Sequence, residues 1–187
     1  MKRRFPKPNI FSSRCLGFAK CRWNGETVQD GFVEKLKPFV NFVTVCPEAE
    51  IGLGVPRRPI RIVCRKGSCR LIQPDTGKDV TSAMNGFVSD YLGSLKKIDG
   101  FILKDRSPSC GIKNVNVYRG LRSSASAKKT SGFFGAGVLR HFPGAAIETE
   151  ARLRDLNVQE RFIAGIFASA MGRRYVKSRE EQKNSMI

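Results

Sequence analysis

Acidic residues are scarce in this sequence, and several other features are missing. Sixteen Asp and Glu stand against 34 Lys and Arg in 187 residues, which gives a formal net charge of +18. No segment approaches the about 18 consecutive apolar residues of a membrane span, and no internal repeat indicates a solenoid. The one histidine, His141, lies near a predicted helix end, where it is expected to cap the helix rather than to act as a catalyst.

The length and composition favour one globular domain. The chain is 41% hydrophobic and 27% charged, as in folded proteins. Residues 1–112 carry 20 basic and 10 acidic side chains and residues 113–187 carry 14 and 6, so the positive charge is spread through the fold. Nucleic acid is therefore the first partner to consider and an anionic membrane the second. The alternatives are solubility, or adaptation to heat or salt.

The N-terminus and the cysteines favour a cytoplasmic protein. Residues 1–6 resemble the charged region of a signal peptide, but no apolar segment of the required length follows them. Six cysteines are too few for a disulfide scaffold and indicate a reducing compartment. We expect them to be ligands, nucleophiles or small core residues.

Alternating strand and helix patterns predict an α/β domain with a mostly parallel, Rossmann-like sheet flanked by helices. Strands are predicted at residues 5–15, 39–46 and 98–104, and helices at 30–37, 81–97 and 132–142. Residues 60–73 predict a small β-hairpin, and residues 123–131 a mobile polar loop. A capping box at 157–160 predicts a helix that ends near Ala170. The domain is expected to span residues 1–175, followed by a polar basic tail at 176–187.

Three cysteines, Cys15, Cys46 and Cys110, each lie at or just beyond the carboxyl end of a predicted strand. In an open parallel sheet these ends share one edge, so the three thiols can converge there. Three thiolates can hold zinc with water in the fourth position, or an iron–sulfur cluster with one open iron. The alternative is that they are small buried core residues. Three further cysteines fit a shared site less well: Cys21, and Cys64 and Cys69, which face each other across the hairpin turn as thiols or as a disulfide.

An ordered set of motifs resembles the thiouracil desulfidase family. The motifs are Ser-Arg-Cys-Leu-Gly at 13–17, Arg-Trp-Asn-Gly at 22–25, Cys-Pro-Glu at 46–48, Gly-Leu-Gly at 52–54, Pro-Arg-Arg-Pro at 56–59 and Lys-Asp-Arg-Ser-Pro-Ser-Cys-Gly at 104–111. The resemblance continues through residues 135–144 and 148–150 and so covers nearly the whole chain. Arg-Tyr-Asp-Gly is more usual in the family at 22–25, and the C-terminal accessory domain of some relatives is not found here.

The resemblance implies a 4Fe-4S cluster held by Cys15, Cys46 and Cys110, whose open iron binds the sulfur of a thiolated pyrimidine. The implied substrates are 2-thiouracil, 4-thiouracil or 4-thiouridine in tRNA, converted to the oxo form with release of sulfide. Glu48 matches the family's acid/base carboxylate and Ser107 its active-site serine, with Ser109 as the second choice. Without the resemblance, Glu48 would be read as a helix-start charge and the serines as turn caps.

The chemistry of these roles can be stated from general principles. Thiocarbonyl sulfur is a soft ligand, so an open iron polarises the C–S bond as a Lewis acid without net electron transfer. Water then attacks the carbon, and Glu48 takes a proton from the water and returns it to a ring nitrogen. Two other hypotheses stay open: a basic RNA-binding module with structural cysteines or zinc, and a zinc hydrolase that uses the same three thiols.

Basic residues suggest where RNA would bind. Arg57 and Arg58 lie between Pro56 and Pro59 and are candidates for contact with phosphate, as are Lys128 and Lys129. Residues 2–4 and 173–179 add further positive charge. We expect tRNA binding that weakens steeply with salt.

Overall fold

The structure is a computed structural model that describes residues 5–123, 125–126 and 128–184. Eight strands and four α-helices lie within these residues. In chain order they are β1 (Asn9–Ser13), α1 (Gly31–Leu36), β2 (Asn41–Val45), β3 (Arg61–Arg65), β4 (Ser68–Ile72), α2 (Thr81–Ser94), β5 (Gly100–Leu103), β6 (Val115–Tyr118), β7 (Lys128–Thr130), α3 (Phe133–His141), β8 (Ala146–Thr149) and α4 (Leu156–Asn184). A π-helical turn at Ala49–Leu53 and a 3₁₀ turn at Arg152–Arg154 connect some of them.

The strands form two four-stranded sheets. The first has the order β2-β1-β5-β8 with every neighbouring pair parallel, which confirms the predicted parallel sheet flanked by helices. The second has the order β4-β3-β6-β7. Its β3–β4 pair is the predicted hairpin, and β6 and β7 extend it into a sheet that the sequence analysis missed.

Side-chain alternation along the strands explains the layers of the fold. Phe11 and Phe101 on one face of the first sheet pack with helices α2 and α3 and with the inner face of the second sheet. Ile10 and Ile102 on the opposite face pack against α1 and α4. The layers are therefore α1 with α4, the first sheet, α2 with α3, and the second sheet.

Helix α4 differs from its prediction at both ends. Its N-cap is Asp155 rather than Asn157, since Asp155 Oδ1 accepts hydrogen bonds from the N–H groups of Asn157 at 2.9 Å and Val158 at 3.2 Å. The helix also continues beyond Ala170, past the expected domain end at residue 175 and into the segment that was expected to be a polar tail. Arg173 holds the first part of this extension against the sheet, because its guanidinium pairs at 2.5 Å with the buried carboxylate of Asp99 beside β5.

Residues 123–131 were expected to form a mobile loop, and this expectation is wrong for Lys128–Thr130. These residues form β7, which pairs antiparallel with β6 and satisfies the backbone groups of its edge. Ser124 and Ala127 of the same segment lie outside the described residues, as do residues 2–4 of the expected RNA contact. None of the helices in the described part of the chain combines the length and apolar character needed to span a bilayer.

The central core should depend on Phe11, which is fully buried with its ring 5.5 Å from Phe101 and 5.3 Å from Phe134. We expect Phe11→Ala to lower the free energy of unfolding by about 3–5 kcal/mol through lost burial and the cavity left behind. Phe39 is 59% exposed, so Phe39→Ala should change it by less than about 1 kcal/mol. Urea unfolding of both variants measures the difference, and equal losses would contradict this description of the core.

Candidate active site

Parallel pairing brings the ends of three strands to one edge of the first sheet. Strand β1 lies between β2 and β5, with Ser13 opposite Val45 and Ser12 opposite Ile102. Cys15 follows β1, Cys46 follows β2 directly, and Cys110 lies in the loop after β5. All three line one pocket of about 370 Å³.

A fourth thiol lies in the same pocket. Cys21, which the sequence ranks below the other three as a ligand, is buried and lines the same pocket, and its carbonyl accepts a hydrogen bond from the Cys46 thiol at 3.5 Å. The sequence feature that could have identified Cys21 is its position six residues after Cys15, following a run of turns. The four cysteines of the pocket are all free thiols.

The surroundings of three of these thiols favour their protonated form. Contact with Cys15, followed by burial, raises the pKa of Cys21 to about 11 against an opposing contact with Cys46. Contact with Cys21 and then burial raise the pKa of Cys46, and burial raises the pKa of Cys110. Metal ligation requires thiolates, so binding of a metal group here would release protons.

Glu48 lies in the wall of the pocket, and both of its oxygens are occupied. Oε1 accepts a hydrogen bond from the hydroxyl of Ser109 at 2.6 Å. Oε2 accepts a hydrogen bond from Nε of Arg57 at 2.8 Å and lies 2.8 Å from Nη2 of the same guanidinium in an ion pair. The side chain makes no capping hydrogen bond to the turn that follows it. Glu48 does precede the turn at Ala49–Leu53, but its carboxylate is bound to Ser109 and Arg57 rather than to the N–H groups of that turn.

Arg57, expected as a contact for RNA phosphate, lies inside the pocket wall instead. Its side chain is only 4% exposed, and its Nη1 also donates to the carbonyls of Cys21 and Gly54, both at 3.0 Å. Burial opposes its charge, but the adjacent Glu48 carboxylate outweighs this and raises the pKa of Arg57. Arg57 is thus a partner of Glu48 and not a surface contact for RNA, whereas Arg58 is exposed and pairs loosely with Asp75 at 3.6 Å.

The two candidate serines have different contacts. Ser107 Oγ accepts hydrogen bonds from the N–H groups of Ser109 at 3.2 Å and Cys110 at 3.1 Å, so it caps the turn that carries Cys110. Ser107 also lines the pocket. Ser109 is fully buried and donates to Glu48. The structure thus connects Ser109 to the carboxylate and Ser107 to the shape of the loop.

Helix α3 holds this loop from behind. The N–H groups of Gly132 and Gly135 donate to the carbonyls of Gly111 at 2.7 Å and Ser109 at 2.9 Å. A Cβ on Gly135 would lie 2.3 Å from the Gly111 carbonyl oxygen, so only glycine permits this approach. The position of Cys110 therefore depends on a close contact between backbones.

The segment after β5 is held from the opposite side by Glu150. Its carboxylate forms an ion pair with Lys104 and accepts the N–H of Asp105 at 2.7 Å. The backbone N–H of Lys104 donates to Ser13 Oγ at 3.0 Å, which connects it to the end of β1. Glu150, the last residue of the Glu-Thr-Glu motif at 148–150, thus helps to hold the pocket wall in place.

The other singled-out residues lie around or away from the pocket. Trp23 lines the pocket and is 47% exposed, and Arg22 and Arg106 line it as well. His141 ends α3 with Nδ1 3.1 Å from the Gly137 carbonyl oxygen, in keeping with a capping role. Cys64 and Cys69 are cross-strand partners joined by a disulfide in the second sheet. Lys128 and Lys129 are exposed on β7.

The donor set fits a group larger than one metal ion. Among the described residues, no three His, Cys, Asp or Glu side chains are arranged to hold a single ion. Four thiols nevertheless surround one pocket, and thiolates are the ligands that iron–sulfur clusters use. The chemistry of this donor set therefore fits an iron–sulfur cluster.

Comparisons with known proteins agree with one another. The family model for 2-thiouracil desulfurase matches residues 10–150. The chain is 32% identical over 154 residues to an uncharacterised protein of Bacillus subtilis strain 168, YbbK, covering 79% of this chain and 99% of that protein. It also resembles the solved structure of a 4Fe-4S-dependent thiouracil desulfidase, TudS, with a TM-score of 0.65 and 26% identity over 83% of this chain and 99% of that one.

The contact between α3 and the Ser107–Gly111 loop predicts an unusual effect of Gly135→Ala. Alanine normally favours a helix, but here its Cβ would clash with the Gly111 carbonyl, so we expect a loss of about 1–3 kcal/mol in unfolding free energy. Gly86 lies in α2 with nothing within 4 Å of a Cβ, so Gly86→Ala should be neutral or stabilising by up to about 1 kcal/mol. Thermal unfolding compares them, and stabilisation by Gly135→Ala would refute the contact.

Proposed function

Since the chain belongs to the 2-thiouracil desulfurase family, we propose that it is an iron–sulfur desulfidase that replaces the sulfur of a thiolated pyrimidine by oxygen. One water is consumed and one hydrogen sulfide is released, so the reaction is a hydrolysis without net electron transfer. The observation that carries the proposal is the pocket in which four free thiols and the Glu48 carboxylate meet. We also propose a cytoplasmic location, for which the four free thiols of the pocket argue and the Cys64–Cys69 disulfide does not.

Cys15, Cys46 and Cys110 are the proposed cluster ligands. Each lies on a segment that follows a different strand of one sheet, so the three sulfurs are carried by separate backbone segments. When bound, a 4Fe-4S cluster with one open iron supplies a Lewis acid for the substrate sulfur. Cys21 lines the same pocket without being assigned as a ligand, and its carbonyl accepts from the Cys46 thiol.

Glu48 is the proposed acid/base group. Its 12% exposed side chain lines the pocket, and Arg57 holds one carboxylate oxygen while Ser109 holds the other. In this role the substrate binds with one ring nitrogen deprotonated, and Glu48 takes a proton from the attacking water and returns it to that nitrogen. The second water proton leaves with the sulfur as HS⁻, which takes up one proton from solvent to give hydrogen sulfide. Arg57 is a positioning residue, because it touches the carboxylate and reaches Cys46 Sγ at 3.7 Å. Ser107 lines the pocket and remains the proposed active-site serine.

The mouth of the pocket supports a pyrimidine as substrate. Trp23 offers an exposed aromatic surface to a planar ring. Arg22 and Arg106 also line the pocket, where they pair with Glu26 at 3.5 Å and Asp105 at 3.4 Å, and the Arg106 side chain is 76% exposed. We propose free thiouracil and thiouridine within tRNA as the two substrate forms, the second because exposed cations at the mouth suit a phosphate backbone.

The test of the proposal is anaerobic purification with iron, sulfide and zinc analysis. We expect a brown protein with iron and acid-labile sulfide, whereas a colourless protein with zinc would favour the zinc hydrolase and one without metal the RNA-binding module. Cys15→Ala, Cys46→Ala and Cys110→Ala should each lose the cluster, because two remaining ligands leave iron open to exchange.

The matched control is Cys21→Ser, a thiol of the same pocket that should be dispensable for the cluster. Cys64→Ala and Cys69→Ala, in the second sheet, should also retain it. Loss of iron from the Cys21 variant with retention in the Cys110 variant would show that the ligands are wrongly assigned.

Glu48→Gln should keep the iron–sulfur spectrum while turnover of 4-thiouracil falls by about 10²–10⁴-fold, because an amide cannot carry the proton. Sulfide release at saturating substrate measures the loss. Glu50→Gln is the control, since Glu50 pairs with Arg14 at 3.2 Å near the pocket but is given no role in proton transfer. Unchanged turnover in Glu48→Gln would remove Glu48 from the mechanism.

A further inference from the structure

The second sheet packs one face on the core and turns the other, its outer face, away from it. Alternation along β3, β4 and β6 turns Ile62, Leu71 and Val117 inward to the core. The same alternation turns a second set of side chains outward: Arg61, Val63 and Arg65 on β3, Ser68, Arg70 and Ile72 on β4, Asn116 and Tyr118 on β6, and Lys129 on β7. We call this set the outer face.

The outer face is strongly basic. Arg61, Arg65, Arg70 and Lys129 contribute four cations, and the one ion pair described for them joins Arg70 to Asp79 at 3.2 Å. Arg65 and Lys129 are exposed, and their described hydrogen bonds go to the Arg119 carbonyl and the Asn116 amide rather than to carboxylates. Three positive charges thus stay without an acidic partner among these contacts.

The outer face is also concave and partly apolar. A depression of about 390 Å³ is lined by Val63, Ile72 and Leu121 together with Arg65, Ser68 and Arg70. At its side, the Arg61 guanidinium stacks 4.5 Å from the centre of the Tyr118 ring. Cations around an apolar floor suit a ligand that carries both negative charge and flat apolar groups.

We propose that the outer face binds a strand of RNA, with its phosphates on Arg65, Arg70 and Lys129 and a base in the depression. Arginine forks match phosphate geometry, and single-stranded RNA combines phosphates with exposed planar bases. An acidic protein would bring charge without planar groups to fill the depression. The inference rests on the proposed function only in taking RNA to be one carrier of the thiolated base.

The outer face is connected to the catalytic pocket through β3. Pro59 and Ile60 line the pocket, and β3 begins at the next residue, Arg61. RNA held along this sheet would therefore raise the local concentration of its bases near the pocket. Arg57, which was the expected RNA contact, is instead bound to Glu48. The outer face offers a surface for RNA in its place.

The test measures binding and turnover separately on the cluster-loaded protein. Fluorescence anisotropy with an unmodified tRNA transcript, over a series of salt concentrations, compares wild type with the Arg65→Glu/Lys129→Glu double variant. We expect the variant to lose at least about tenfold in affinity and the slope of log affinity against log salt to fall by about 1.5.

The control is the Lys35→Glu/Arg161→Glu double variant, which reverses the same number of charges at exposed positions of α1 and α4, on the opposite face of the molecule. Its affinity should stay within about threefold of wild type. Arg65→Gln/Lys129→Gln, a milder change, should lose affinity in the same direction if the reversal hinders folding.

Free 4-thiouracil should be turned over equally by wild type and all three variants, because none of these residues lines the pocket. Equal loss of RNA affinity in Arg65→Glu/Lys129→Glu and in Lys35→Glu/Arg161→Glu would overturn the proposal, because binding would then depend on net charge and not on the outer face. Absence of RNA binding by wild type at low salt would also overturn it. Failure of 4-thiouracil turnover in wild type would instead count against the desulfidase proposal, since the binding assay does not depend on it.

Discussion

The parallel pairing of β1 with both β2 and β5 is the constraint on which the site depends. It aligns three carboxyl ends at one edge, although Cys15, Cys46 and Cys110 are separated by 31 and 64 residues in the chain. The strands are held by apolar contacts on both faces, through Phe11 and Phe101 on one and Ile10 and Ile102 on the other. The sulfurs can therefore be placed by a rigid sheet while their immediate segments remain loops.

Buried ion pairs fix the loops that the sheet leaves free. Glu48 with Arg57 sets the wall of the pocket, Glu150 with Lys104 holds the segment after β5, and Asp99 with Arg173 ties α4 to the start of β5. Removing charge from water is costly, so such pairs specify geometry more than they add stability. Each carboxylate also accepts a neutral hydrogen bond, and no buried side-chain nitrogen or oxygen of the described residues lacks a partner.

The sequence was informative where periodicity and motif order decide the structure. Strand spacing predicted the parallel sheet and the cysteines at its edge, and the motifs indicated the family. No local pattern shows which residues pair over long distances. Arg57 was therefore expected at the surface, although it pairs with Glu48, and α4 was predicted to end before Arg173, which pairs with Asp99. Cys21 was undervalued because it follows a run of turns, whose path depends on tertiary contacts. The second sheet was missed for the same reason, since β6 and β7 are only four and three residues long.

The central claim is that the pocket exchanges sulfur for the oxygen of water. The most direct measurement is the reaction of the anaerobically purified, cluster-loaded protein with 4-thiouracil in water enriched in heavy oxygen, followed by mass spectrometry of the product and assay of sulfide. The account predicts uracil that carries one heavy oxygen atom, one sulfide for each uracil formed, and no requirement for an added reductant. Uracil without the label, or conversion only when a reductant is supplied, would contradict it.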